Sequence, residues 1–292
     1  MSSSIGEISV KNNNPYIKMW QREVPSGKRS YRRHFHTRFE ITVVTSGSGV
    51  YTTERKSYPM KKGDVFVFSS NEVHSITEVS EEGLVITNMH FEPRYLADRG
   101  AGDISEGYIN FCFSHSPEFE NRIPASVSGV IRDNFMKIKA EFENKNSGYE
   151  TLVKAYLDII LVELKRNHSY FSPEAKETSA NKSSLASVYE YIEEHLCEAL
   201  TLEELSEIAH LSPNYLSTVF KQFSGIALWD YITAKRVEKA AFMLSSSKNE
   251  LSVLEIASLC GFNNTANFNK AFKKYKDVTP SEYRKNPKSR LH

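Results

Sequence analysis

The sequence predicts an α+β chain of more than one domain, with a strand-rich amino-terminal part, a helical hairpin and an all-α carboxyl-terminal part. Three observations carry this. Between Phe39 and Phe91, short β-branched and aromatic runs alternate with glycine-containing breaks. From about Val127 to His168 the apolar spacing switches to the helical period. The last hundred residues then contain one two-helix pattern twice. A chain of 292 residues exceeds one typical core and suits two domains. The expected boundaries are a sheet domain over 1–125, a helical hairpin over 126–171, a linker over 172–184 and a helical domain over 185–292.

The net charge is +1, so any surface for a polyanion must be local. The three cysteines, Cys112, Cys197 and Cys260, are few, odd in number and form no CxxC pair. That argues against a disulfide framework and for a reducing compartment. The first residues lack a basic segment followed by an apolar run, and no stretch approaches a bilayer span. A cytoplasmic protein without membrane contact is expected.

In the strand-rich part, FEITVV, GVYTT, DVFVF, SITEV and LVITNMHF read as strands. GSG at 47–49, KKGD at 61–64 and EEG at 81–83 read as the hairpin turns between them. Strands at this spacing predict a barrel or sandwich. In the next part, Ile131, Phe135, Ile138 and Phe142 form one helical stripe, and Leu152, Tyr156, Ile159, Ile160 and Leu164 a second. NKNSGY at 144–149 separates them. The pair packs on the sheet, or on a second copy across a two-fold seam. The stretch SPEAKETSANKSS carries no apolar residue larger than Ala and reads as flexible linker.

The repeat begins at Leu202 and again at Val253. Leu205 matches Ile256, Leu211 matches Phe262, Leu216 matches Phe268, Phe220-Lys221 matches Phe272-Lys273, Phe223 matches Tyr275 and Tyr231 matches Tyr283. Each copy is a short helix, a tight turn and a second helix. Ser212-Pro213 opens the second helix of the first copy, and Gly261 closes the first helix of the second copy. Opposite the apolar stripes lie Asn214, Ser217, Thr218 and Lys221 in copy one, and Thr265, Asn267, Asn269, Lys270, Lys273 and Lys274 in copy two. A helix backed by a partner and presenting short polar and basic side chains fits the major groove of DNA. The helix between the copies is expected to bury Ile232, Val237, Ala240, Ala241 and Leu244 and to expose Arg236 and Lys239. Its length would set two readers one helical turn, ~34 Å, apart on one side of a duplex. Residues 265–292 are strongly basic. The acidic run at 185–207 reads as a solvated face turned from DNA.

SPNYLSTVFKQFSG, the Arg236-Val237 helix and IASLCGFNNTANFNKAFKKYKDVTPSEYR resemble the AraC/XylS family of bacterial transcription regulators over roughly residues 185–286. The resemblance implies promoter DNA and RNA polymerase as partners. Arg236 joins the two polar faces as an expected DNA contact. His210 and Asp277 depart from the family, standing where glycine is common. The amino-terminal segment carries H-x-H-x3-E-x6-G as His34, His36, Glu40 and Gly47, followed by Gly63-Asp64 and His74. It resembles a cupin barrel in the form of an arabinose-type sensor domain.

That resemblance gives HFHTRFE, residues 34–40, a meaning. In one regular strand, His34, His36 and Glu40 share a face, and His74 comes from across the barrel. The resemblance implies a ligand site at His34, His36, Glu40 and His74, without metal and holding a small molecule such as a sugar. A divalent transition metal on the same four residues is the alternative. Arg38 is expected in solvent, and His90 as a strand-end residue rather than a ligand group. No Ser-His-Asp set or phosphate loop is present, and GSGVYTT does not precede a helix. The chain is therefore expected to be no enzyme. It is expected to be a ligand-responsive, sequence-specific DNA-binding regulator and a homodimer, acting as an activator of a carbohydrate-type operon. A metal-dependent cupin enzyme fused to a DNA-binding module and a constitutive dimeric regulator are the rivals.

Overall fold

Two long strands, β4 (Phe39–Thr53) and β7 (His74–Phe91), pair with each other along almost their whole length and organise the amino-terminal unit of this computed structural model. The structure describes residues 7–10, 16–29, 36–92, 95, 115–116, 118–170, 179–224, 226–245 and 251–285. Six shorter strands complete one antiparallel sheet: β1 (Glu7–Val10), β2 (Ile17–Val24), β3 (Gly27–Lys28), β5 (Ser57–Lys61), β6 (Val65–Phe68) and β8 (Arg122–Ile123). The order is β1-β2-β7-β4-β6-β8, with β3 on β7 and β5 on β4.

Two of the three expected turns are not turns. GSG lies inside β4 and EEG inside β7, and only KKGD reverses the chain, with Gly63 at φ 89°. The β4–β7 register shifts between Val44 and Ser46 and between Gly47 and Gly49. Gly47 and Gly83 both have positive φ, and a Cβ on Gly47 would overlap the Gly83 carbonyl oxygen. Such bulges bend a strand pair sharply. Below the bend, β2 and β6 flank the pair; above it, β3 and β5 do. Val44, Phe66, Phe68 and Ile86 from the lower half share one core with Tyr51, Tyr58, Met60 and Val79 from the upper half, so the two halves close on each other.

Asp64 ties the sheet to the helices. Its buried carboxylate accepts from Lys61 N at 2.9 Å, Arg122 Nε at 2.8 Å and Ala125 N at 2.9 Å, just ahead of α1 (Gly129–Asn144). Lys145 in the left-handed region ends α1, and Gly148 at φ 82° starts α2 (Tyr149–Asn167). The α1 stripe is buried as expected. The α2 stripe is not the expected one. Val153, Leu157, Ile160, Leu161 and Leu164 are buried, whereas Leu152, Ile159 and Val162 face outward. The helix carries two apolar faces, and the spacing merged them.

The second unit begins with α3 (Ser179–Glu194), so helix occupies the last part of the expected linker. Alanine and lysine favour helix, and Leu185, Val188, Tyr189 and Ile192 anchor it in the core. Residues 171–178 lie outside the described residues. Then follow α4 (Leu202–Ala209), α5 (Pro213–Ser224), α6 (Leu228–Ser245), α7 (Val253–Leu259), α8 (Thr265–Lys276) and α9 (Pro280–Lys285). The repeat's anchors Leu205 and Ile256, Leu216 and Phe268, and Phe220 and Phe272 are fully buried, and Tyr231 and Tyr283 nearly so. Caps fix the helix starts: Thr201 on α4, a Ser252/Glu255 capping box on α7 and Asn264 on α8. His210 and Asp277 take the left-handed conformation that glycine favours, at φ 52° and 61°. The acidic run is not wholly solvated. Glu193 accepts from Lys235 at 2.9 Å and from the Tyr231 hydroxyl at 3.2 Å, which ties α3 to α6.

Gly47→Ala is expected to lower the stability of the amino-terminal unit by more than about 3 kcal/mol, because backbone rather than a movable side chain blocks the new methyl. Gly129→Ala meets open space and serves as the comparison. Urea unfolding followed by tyrosine fluorescence checks this; equal midpoints for the two variants would show that the bend tolerates a side chain.

Candidate functional site

The bend places one ionisable side chain at the centre of the amino-terminal unit. Glu40, near the start of β4, is buried and opposes His90 of β7 and Phe68 of β6. One carboxylate oxygen, Oε1, accepts from Thr42 Oγ1 at 2.5 Å, Asn88 Nδ2 at 2.8 Å and Tyr51 OH at 3.4 Å. The other, Oε2, faces three imidazole Nε2 atoms, of His90 at 2.7 Å, His36 at 2.8 Å and His74 at 3.3 Å. Tyr51 and His74 belong to the upper half of the bent pair, and Glu40, Thr42, Asn88 and His90 to the lower half. Without the bend these groups would be strung along a flat sheet.

The rings are held from outside. His36 Nδ1 donates to the Arg38 carbonyl and His74 Nδ1 to the Glu72 carbonyl, each at 2.8 Å. His74 stacks on Phe68 with ring centroids 4.0 Å apart, and Trp20 meets His90 edge-on at 4.5 Å. Burial pushes the Glu40 carboxyl up, but the charges of His90 and His74 and hydrogen bonds from His36 and His74 outweigh it and hold the group well below the usual carboxylate value. Burial pulls the His74 imidazole down, yet the Glu40 charge and hydrogen bond raise it overall. His90, buried and beside His36, is driven down to about 3. Burial and the neighbouring imidazole thus favour the neutral form of His90.

The expected set is thus altered. His36, Glu40 and His74 come together, and His34 lies outside the described residues. His90 joins them, because its register opposite Glu40 turns it inward. The alternation of polar Asn88 and His90 with apolar Met89 and Phe91 was the signal for this inward face. HFHTRFE is not one strand, since β4 starts only at Phe39. His36 reaches Glu40 from the preceding bend, where its carbonyl accepts from Asn71 N at 2.7 Å. Arg38 is not in solvent, because its Nε and Nη2 both donate to Glu92 Oε1, at 3.1 and 2.9 Å.

In the helical unit, Asn214, Thr218 and Lys221 on α5 and Asn267, Asn269, Lys270 and Lys273 on α8 are exposed, with Ser217 and Thr265 half-buried beside them. Lys274 is exposed too, but its ammonium pairs with Asp230 of α6 at 2.7 Å. Arg236 departs from expectation. Its Nε donates to the Leu196 carbonyl at 2.8 Å, Nη1 to Gly261 at 2.9 Å and Nη2 to Glu198 at 2.7 Å. The guanidinium fork is used inside the unit, joining the segment before α4 to the turn after α7. A Cβ at Gly261 would crowd the Cys197 carbonyl oxygen and this guanidinium. Arg236 therefore acts as a brace between the segment ahead of the first copy and the turn of the second.

Residues 25–157 match the family described as AraC-like ligand binding domain, and residues 205–286 match the helix-turn-helix domain family. An uncharacterized HTH-type transcriptional regulator of Bacillus subtilis, YisR, is 26% identical over 266 residues, 89% of each chain. YijO of Escherichia coli, also an uncharacterized HTH-type transcriptional regulator, is 34% identical over 113 residues, 39% of each chain. Staphylococcus aureus relatives such as SACOL0084 match 84% of this chain, which spans only 31% of their length. Among solved structures, apo ToxT from Vibrio cholerae shares the fold, with a TM-score of 0.62 at 14% identity over 94% of this chain and 98% of that one. ToxT bound to an unsaturated fatty acid gives 0.59 at 14% identity, over 94% and 96%.

Arg236→Lys is expected to destabilise the helical unit by about 1–3 kcal/mol, since an ammonium cannot satisfy three carbonyls held in a fork. Thermal unfolding with hydrogen exchange checks this. Unchanged protection at the turn around Gly261 would remove the brace.

Proposed function

The chain belongs to the AraC/XylS family of transcription regulators, and from that premise we propose that it activates a metabolic operon when a small polar effector, such as a sugar, occupies the site around Glu40. It is a regulator and not an enzyme. Its helix-turn-helix unit binds DNA and its sheet unit responds to a ligand. No helix among the described residues is long and apolar enough to cross a membrane. We place the protein in the cytoplasm, where promoter DNA and RNA polymerase are its partners.

One observation carries the DNA reading. The two repeat copies bury matched anchors and turn matched polar faces outward. On this reading Asn214, Ser217, Thr218 and Lys221 meet one half-site, and Thr265, Asn267, Asn269 and Lys270 the next, with Lys273 on phosphate. Effector binding shifts the population in which the two helix-turn-helix units engage DNA together. Hydrogen-bonding groups converge around Glu40, which suits a hydroxyl-rich effector better than an apolar one. ToxT binds an unsaturated fatty acid. The outward apolar face of α2, with Leu152, Ile159 and Val162, is the homodimer seam.

Asn267→Ala and Lys270→Ala are each expected to weaken binding to the operator about tenfold or more, with Lys270→Ala also lowering the salt slope by roughly one. Glu190→Gln, on an exposed acidic position, should bind as the parent does. Fluorescence anisotropy across salt concentrations measures this, and equal affinities for all three variants would remove the assignment. Ile159→Glu should convert dimer to monomer in sedimentation equilibrium; a dimer of unchanged strength would place the seam elsewhere. A thermal-shift screen of polar metabolites tests the effector site, and no shift with any of them would favour a constitutive regulator.

A further inference from the structure

We infer that His36, His74, His90 and Glu40 form a site for one divalent first-row transition-metal ion, which anchors the effector. This rests on the effector reading above and names the chemistry of that site. Three of its ligands are those the sequence motif implied, and His90 adds a fourth from the far end of β7.

The geometry is that of a prepared coordination site. Three Nε2 atoms stand 2.7, 2.8 and 3.3 Å from a single carboxylate oxygen. Donor atoms of His36, Glu40 and His90 all lie within 4.8 Å of one another. Neighbouring donors on one transition metal, bonded at about 2.0–2.2 Å, sit roughly 3.0–3.4 Å apart, so small shifts would admit an ion. The ring tautomers are set for it. Nδ1 of His36 and of His74 is committed to a backbone carbonyl. The Nε2 edge of both rings is thereby turned to Glu40 Oε2, the side on which an ion would sit.

The second carboxylate oxygen is held from outside as well. Thr42, Asn88 and Tyr51 hold Oε1, which leaves Oε2 for the centre. Such outer contacts orient ligands and raise affinity. Imidazole nitrogen with one carboxylate oxygen suits iron, cobalt, nickel, copper or zinc over calcium or magnesium. Glu40 and His74 are almost fully enclosed, with side chains 3% and 4% exposed, whereas His36 and His90 retain 9% and 14%. The open side of the ion therefore lies along His36 and His90, and there the remaining coordination positions would take effector oxygen atoms.

The test uses the full chain without a histidine tag, stripped with chelator and titrated with cobalt(II). Expected are one cobalt per chain by elemental analysis, a visible d–d absorption band and a rise in melting temperature. His90→Ala, which removes one of four ligands, should weaken binding by more than the roughly ten- to hundredfold typical of losing an outer contact, and His210→Gly, in the helical unit, should not weaken it. The parent titration decides alone if His90→Ala fails to fold. No band and less than a tenth of an equivalent of cobalt, with no thermal shift from manganese, iron, nickel, copper or zinc, would overturn the inference. The metabolite screen run on stripped and loaded protein separates the two readings. Shifts as large on stripped protein keep the effector site and overturn the metal as its anchor. Shifts confined to loaded protein support it. One bound metal with no metabolite shift in either form overturns the anchoring role and, separately, the effector reading.

Discussion

There is no room for a side chain between Gly47 and the backbone of Gly83, and the amino-terminal unit depends on that constraint. The close approach bends the longest strand pair, and the bend lets one pair serve both walls of the sandwich. It also brings Tyr51 and His74 over Glu40. A hydrogen-bonded ladder alone would keep these groups far apart, since strand residues advance about 3.3 Å each. The buried carboxylate is then surrounded by nitrogen and hydroxyl on every side, which is the condition under which burying a charge is tolerable. Fold and site are thus one solution, in which the bend creates the enclosure and the polar shell stabilises what is enclosed.

The helical unit solves a different problem by repetition. Each copy is too short to bury its own apolar stripe, so α6 lies between them and contributes to both cores, with Tyr231 on one side and Val237, Ala240 and Leu244 on the other. Polar ties then fix the angle: Lys235 to Glu193, Lys274 to Asp230, and the three carbonyls gripped by Arg236. The side chains that remain outward on α5 and α8 are short amides, hydroxyls and lysines, the residue types that base edges and phosphates accept.

Much of this was legible in the residue order. The repeat's anchors could be matched because burial selects large apolar side chains at fixed helical spacing. What escaped reading has common causes. GSG and EEG carry the composition of turns, and a bulge differs from a turn only in what lies across from it. His90 stands at a strand end in sequence but opposite Glu40 in register, and register is a long-range fact. Arg236 is charged, and a charged helix residue reads as solvent-facing until its carbonyl partners, 25 to 40 residues away, are known. On α2, two adjacent apolar faces produced one period.

The Arg236 grip has a consequence for inheritance. Its acceptors are main-chain oxygens, so any sequence that keeps the path of residues 196–198 and the turn at Gly261 can accept it, whatever side chains decorate the reading helices. Specificity can therefore drift at α5 and α8 without loosening the frame. A graft that begins at Leu202, by contrast, would leave the Leu196 and Glu198 carbonyls behind, so grafts should carry the block from residue 196 through the turn at Gly261.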